Sequence, residues 1–163
     1  MKLSRYAVVA AVILGTSAAL AASEAQKSFD AIKALEGTWE GKNNQGQTLT
    51  VTFRQTSGGS AVLNEIHAQG DHDMITMFHL DGDRLLMTHY CSAGNQPRMK
   101  ATLAPDGKSI SFDFIDATNL ASPEAGHMHH VVFSMPDAHH HTEEWTFLDH
   151  GKEMKELFTM ERK

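Results

Sequence analysis

Between residues 88 and 99 the sequence reads THYCSAGNQPRM. Thr88 to Cys91 close an apolar, strand-like run, and Asn95, Gln96 and Arg98 follow at once. So many donors and acceptors in one short stretch point to the recognition of a small molecule. A guanidinium offers a planar fork to a carboxylate or phosphate. Neighbours along a strand face opposite ways, so one of His89 and Tyr90 points inward. Polar residues at a strand end also pin connections through backbone hydrogen bonds, and for Asn95 and Arg98 that reading carries equal weight.

Histidine supplies a second signal. The chain has 11, and His127-x-His129 and His139-x-His141 each place two imidazoles on one face of a strand. Sheets bind Zn, Cu or Ni with this spacing. No cysteine lies nearby, and the run lacks the Glu and Gly of a cupin motif, so the four histidines stand as an alternative metal site. Catalytic signatures are missing: there is no Gly-x-Ser-x-Gly, His-Glu-x-x-His, phosphate loop or Gly-x-Gly-x-x-Gly. A Cys91–His89 pair shares one strand face, but an isolated thiol is usually a small buried hydrophobe. Glu143 and Glu156 have nothing that places them around a scissile bond. An enzyme is the less favoured reading.

Composition narrows the partners. The formal net charge of −6 argues against a nucleic-acid partner, whose phosphates need clustered Lys and Arg. Cys91 is the only cysteine, so no intramolecular disulfide can form. The start, MKLSRYAVVAAVILGTSAALAAS, has a basic end, an apolar run from Ala7 to Leu14 and a small-x-small cleavage pattern at Ala19-Leu20-Ala21. It reads as a signal peptide over 1–21, giving an exported protein, periplasmic or extracellular. The apolar run falls short of the roughly 20 residues a membrane span needs, and no span is expected in the mature chain, 22–163.

The elements that must position these residues are mostly strands. Ser23 with Gln26 makes a capping box, and Phe29, Ile32 and Leu35 recur on one helical face before Gly37. Strands are then expected near 38–43, 48–56, 60–67, 73–80, 83–91, 98–104, 109–117, 127–135, 140–148 and 152–162, separated by turns such as SGGS, LDGD, APDG and DHGK. The widest gap, 118–126, reads as a mobile loop. With His150-Gly151 as a two-residue turn, Phe147 faces Met154, Trp145 faces Glu156, Glu143 faces Phe158 and His141 faces Met160. That face mixes aromatics with His141, Glu143 and Glu156, and a dry core would not hold those carboxylates unpaired. A water-containing interior is the expectation.

LEGTWEG (35–41) resembles the Gly-x-Trp signature of the lipocalin and fatty-acid-binding superfamily, the calycins. The resemblance implies a Trp inside the closed end of a barrel and a basic residue near the chain end packed over it, here Trp39 and Arg162. The segment MITMFHLDGDRLLMTHYCSAGNQPRM (74–99) resembles a group of small exported bacterial proteins with a lipocalin-like barrel and no firm activity. The expected fold is all-β: one antiparallel calycin-like barrel of about ten strands with a short N-terminal helix. The expected function is binding of a small, partly apolar molecule inside it, with His79, His89, Tyr90, Arg98 and Glu143 at the pocket. The alternative is a metal- or haem-binding protein using His127, His129, His139 and His141, or one interior histidine (His79, His89 or His129) as axial ligand. Zinc or haem would be its cofactor, although no Cys-x-x-Cys-His attachment motif is present. No cofactor is expected to be required for folding.

Overall fold

A computed structural model describes residues 22–70 and 72–163; the expected signal peptide, 1–21, lies outside the described residues. Helix α1 (Glu24–Ala34) starts at the capping Ser23, whose Oγ accepts the Gln26 backbone N–H at 3.1 Å. The Gln26 side chain does not complete the box. It donates instead to Asp30, one turn on, at 2.8 Å. Phe29 and Ile32, with Leu35 just past the helix end, are buried, and the helix packs across β4, β5 and β6.

Those strands belong to a set of ten: β1 (Gly37–Asn43), β2 (Thr48–Thr56), β3 (Ala61–Ala68), β4 (Met74–Asp81), β5 (Arg84–Tyr90), β6 (Gln96–Leu103), β7 (Ser109–Thr118), β8 (His127–Ser134), β9 (His140–Asp149) and β10 (Lys152–Arg162). Each pairs with the next, and β1 pairs with β10, so the sheet closes into an antiparallel barrel with no free edge. The alternation in the sequence predicts this architecture. Strand boundaries differ by a residue or two, most at β6, where Gln96 and Pro97 already pair with Thr118 and Ala117.

Local chemistry explains the register. His150 and Gly151 have φ of 48° and 77°, the two left-handed positions of a type I′ hairpin. The turn fixes Phe147↔Met154, Trp145↔Glu156, Glu143↔Phe158 and His141↔Met160. At the other end, Gly37 has φ 127°, a conformation closed to side chains. Gly41 serves differently: a Cβ there would stand 1.9 Å from the Thr159 carbonyl oxygen. Its lack of a side chain lets β1 and β10 approach and close the barrel.

The helix side of the barrel is sealed. Trp39 is fully buried, and its indole N–H donates to the Leu35 carbonyl at 2.8 Å. Arg162 lies over the Trp39 ring, 4.2 Å from its centroid, and donates to the carbonyls of Ala34, Glu36 and Ala138 at 2.6–2.9 Å. The guanidinium therefore satisfies carbonyls at the C-terminal end of α1 and locks the last strand to the helix. This is the Trp–Arg arrangement that the calycin resemblance implies. The opposite rim, the mouth, is formed by the loops 44–47, 91–95, 119–126 and 150–151 together with residues 69, 70, 72 and 73.

Candidate functional site

Two polar clusters occupy the inner wall, and they differ in how well their atoms are satisfied. The first adjoins the sealed end. His141 Nε2 lies 3.0 Å from Glu143 Oε1, and the Trp145 indole N–H donates to Glu143 Oε2 at 2.9 Å. His141 and Glu143 are both fully buried. The His141 ring meets Trp39 edge-on at 4.3 Å and Phe53 at 5.8 Å between centroids. Glu143, expected to need a watery interior, instead has both oxygens engaged, which is how a dry core tolerates a carboxylate, and His141 Nδ1 is left without a partner. Glu156 sits nearer the mouth and accepts from Asn43 at 2.5 Å.

The second cluster is a row running across three neighbouring strands. Asn64 on β3 pairs with Thr76 on β4, and Thr76 pairs with His89 on β5. All three are fully buried, and cross-strand partners share a face, so the row lies along the inner wall. Thr76 Oγ1 lies 2.9 Å from His89 Nδ1. The remaining polar atoms of the row have no partner: Asn64 Oδ1 and Nδ2, and His89 Nε2. Burial pushes the His89 imidazole down to about 4, so it is neutral at neutral pH. Trp145 faces it with ring centroids 4.8 Å apart. On the mouth side, Leu49, Ile66, Ala68 and Met74 follow in register, the first two buried and the last two half-buried.

Of the residues expected at the pocket, His89 and Glu143 are inside, in different clusters. Tyr90 is exposed, because alternation turns it outward once His89 faces in. His79 is exposed for the same reason, next to the buried Phe78. Arg98 is exposed between the buried Pro97 and Met99. It makes a two-pronged pair with its cross-strand partner Asp116, with Nε to Oδ1 at 2.6 Å and Nη2 to Oδ2. That bond holds the Asp116 carboxyl below the usual range. Arg98 is therefore committed outside the barrel rather than at a rim.

The rest of the THYCSAGNQPRM stretch is a clasp. Asn95 Nδ2 donates to the Gly126 carbonyl at 2.8 Å and Asn119 Nδ2 to the Gly94 carbonyl at 2.6 Å, while Thr118 Oγ1 donates to Gln96 Oε1 at 2.7 Å. These bonds tie loop 91–95 to loop 119–126. The longer loop, expected to be mobile, is held again by the His150 backbone N–H on the Glu124 carbonyl at 2.9 Å.

The four histidines of the metal alternative are split between the two ends. β8 starts at His127 near the mouth, whereas His139 and His141 flank the start of β9 at the sealed end. Register puts Ser134, not His127, beside the start of β9, a separation of roughly 20 Å along the strand. His127 Nε2 and His129 Nδ1 lie 3.4 Å apart beside Phe114. Among the described residues no group of three or more His, Cys, Asp or Glu side chains converges to hold a metal ion.

Asn64 and Thr76 are the site residues that sequence reasoning missed. A signal was present: Val62-x-Asn64-x-Ile66 and Thr76-x-Phe78-x-Leu80 each carry one polar residue at an inward position of an otherwise apolar alternation.

The protein is thus a closed ten-stranded antiparallel barrel with one sealed end and an internal polar row. Among the solved structures that share this fold are two similar to this chain. One is Rv2717c from M. tuberculosis, with TM-score 0.57, 15% identity, and coverage of 83% of this chain and 97% of that chain. The other is a protein of unknown function from the DUF3598 family of Nostoc punctiforme, with TM-score 0.55 and 11% identity. The match covers 81% of this chain but 49% of that one, so the chain spans about half the length of the Nostoc protein. No family model and no curated protein matches the sequence.

Proposed function

We propose that this is an exported, lipocalin-like binding protein that holds a small, partly apolar molecule in the mouth-side half of its barrel. Asn64 and His89 meet the ligand's polar group, Thr76 fixes the imidazole, and Leu49, Ile66, Ala68 and Met74 line the approach. The observation that carries this reading is the fully buried Asn64 carboxamide with both polar atoms unpartnered, beside an unpartnered His89 Nε2. Leaving a buried donor or acceptor unsatisfied costs about 1–3 kcal/mol. A wall serving only as core would carry leucine or valine there. Export follows from the pattern in 1–21.

A second reading has one specific observation in its favour. An imidazole whose Nδ1 is engaged by Thr76 and whose Nε2 is unpartnered is arranged like a metal or haem ligand held by an outer partner. Zinc would need three or four ligands, and among the described residues none converge on His89. A haem needs only one, but Trp145, 4.8 Å from the imidazole, would have to move to admit a macrocycle. The small-molecule reading asks less of the packing. Native mass spectrometry, metal analysis and a visible spectrum of untagged protein from the exported fraction separate them. An organic mass is expected. A stoichiometric metal or a Soret band would promote the second reading, and protein recovered unprocessed from the cytoplasm would end the claim of export.

A further inference from the structure

The proposed interior site leaves the ligand's chemical class open, and the row itself narrows it. Accepting that reading, we infer that the ligand's polar end is an uncharged group carrying a donor beside an acceptor, such as a primary amide, a lactam or an imide, and not an acid or an amine.

Charge is the first argument. Among the described residues no Lys or Arg is buried. Arg98, the guanidinium best placed in sequence to greet a carboxylate, is outside on Asp116. Arg162 is occupied by three carbonyls at the sealed end. His89 is neutral at neutral pH because burial disfavours its charged form. A carboxylate brought to this row would be buried with no countercharge, a cost that ordinary hydrogen bonds do not offset. An ammonium fares no better. Among the described residues the only fully buried carboxylate is Glu143, and its two oxygens already serve His141 and Trp145.

Donor–acceptor pattern is the second argument. Asn64 presents an unpartnered N–H pair and an unpartnered carbonyl oxygen on one planar group. Only a ligand edge that accepts and donates side by side satisfies both. The third atom, His89 Nε2, adapts to whichever is needed. If Nδ1 donates to Thr76 Oγ1, Nε2 accepts; if the Thr76 hydroxyl donates to Nδ1, Nε2 donates. A hydroxyl that can turn therefore lets the row receive either face of an amide. The apolar residues between row and mouth suit a short hydrocarbon body behind that head.

Chain-matched aliphatic probes test this directly: the amides from butanamide to decanamide, the corresponding carboxylates and the corresponding alkylammonium ions. They are titrated at pH 7 by calorimetry, with the Asn64 side-chain N–H pair and the His89 ring followed by NMR. The amide of best length should bind at least about tenfold more tightly than its acid or amine, and should shift both sets of resonances. Asn64→Leu, close in size to the parent residue, should abolish that preference while the protein still melts cooperatively. Acids binding as tightly as amides with the same resonances shifting would overturn the amide assignment and leave interior binding standing. The same holds if Asn64→Leu keeps the preference. No probe of any class shifting Asn64 or His89 would sink the interior-binding reading itself, and this inference with it.

Discussion

His141 and His89 are both fully buried imidazoles on the inner wall, yet their surroundings differ in kind. His141 is bonded to Glu143, which is bonded to Trp145, and the group is roofed by Trp39 and Arg162. One atom there, His141 Nδ1, lacks a partner. His89 has Thr76 alone, and its row leaves three polar atoms unpartnered. The sealed end uses polar groups as internal fasteners, with both Glu143 oxygens, His141 Nε2 and the Trp145 indole bonded within the group. The mouth side leaves them open at the expense of stability. The contrast separates a part of the barrel whose polar groups fasten one another from a part whose polar groups stay open, and the proposed interior site rests on that difference.

The sharpest way to break that contrast is at its stable pole. Glu143→Ala strips His141 and the Trp145 indole of their shared acceptor and leaves a hole, so it should destabilise by about 3–5 kcal/mol. Trp39→Ala should fall in the same range, since it removes a fully buried indole under the Arg162 lid. Urea unfolding measures both. A loss below about 1 kcal/mol in either variant would mean that the sealed end does not carry the fold.

The next effect in size belongs to His89 and depends on pH. In the unfolded chain its imidazole titrates near the ordinary value of about 6.5, whereas in the fold burial lowers it to about 4. Between these values the unfolded state binds the extra proton, so stability falls as pH drops. The contribution is fully present above pH 6.5 and is lost on the way down to 4, by up to on the order of 3 kcal/mol. His89→Leu should flatten that part of the stability profile between pH 7 and 4.5 relative to the parent. Parallel profiles would show that the imidazole is hydrated rather than buried dry.

A smaller change of opposite sign is expected at Asn64. Replacing a carboxamide that has no partner with an isosteric hydrocarbon removes a desolvation cost, so Asn64→Leu should stabilise the ligand-free protein by about 1–2 kcal/mol. Thermal melting after exhaustive removal of bound small molecules is the check. Destabilisation instead would make Asn64 another fastener and erase the difference between the two halves.

Much of the architecture could be read from the chain because it depends on local rules. Alternation of period two marks each strand, and His150-Gly151 sets a turn whose register then follows residue by residue. Trp39 and Arg162 could be paired only through the calycin resemblance, since their contact spans nearly the whole chain. The site was harder. His141 and Trp145 stand two positions either side of Glu143 on the same strand face, but whether Glu143 is a ligand group or a fastener depends on their side chains turning onto its carboxylate, which only the structure shows. Arg98 misled for a related reason: a guanidinium near a strand end advertises anion binding, but its cross-strand neighbour Asp116 is 18 positions away in sequence. Asn64 and Thr76 passed unnoticed because single polar residues in apolar strands carry little weight until register joins them into one row with His89.

Arg98 also supplies the smallest expected effect. It is more than half exposed, and its partner Asp116 is nearly so. Both groups are well solvated, so the pair's attraction is screened and is opposed by the cost of ordering two side chains. Arg98→Ala should therefore leave the melting curve almost where it was. It should also leave the affinity of any interior ligand unchanged, because the guanidinium lies on the far side of the wall from His89. The instructive comparison is with its neighbours in the same stretch. Asn95→Ala cuts the bond to Gly126 that joins two mouth loops, and should loosen the 119–126 loop enough to speed amide exchange there while global stability changes little. If Arg98→Ala instead weakened ligand binding by an order of magnitude, the ion pair with Asp116 would have to open in the bound state. The ligand would then carry a negative charge, and the binding site would lie outside the barrel, on the face where Arg98 and Asp116 stand.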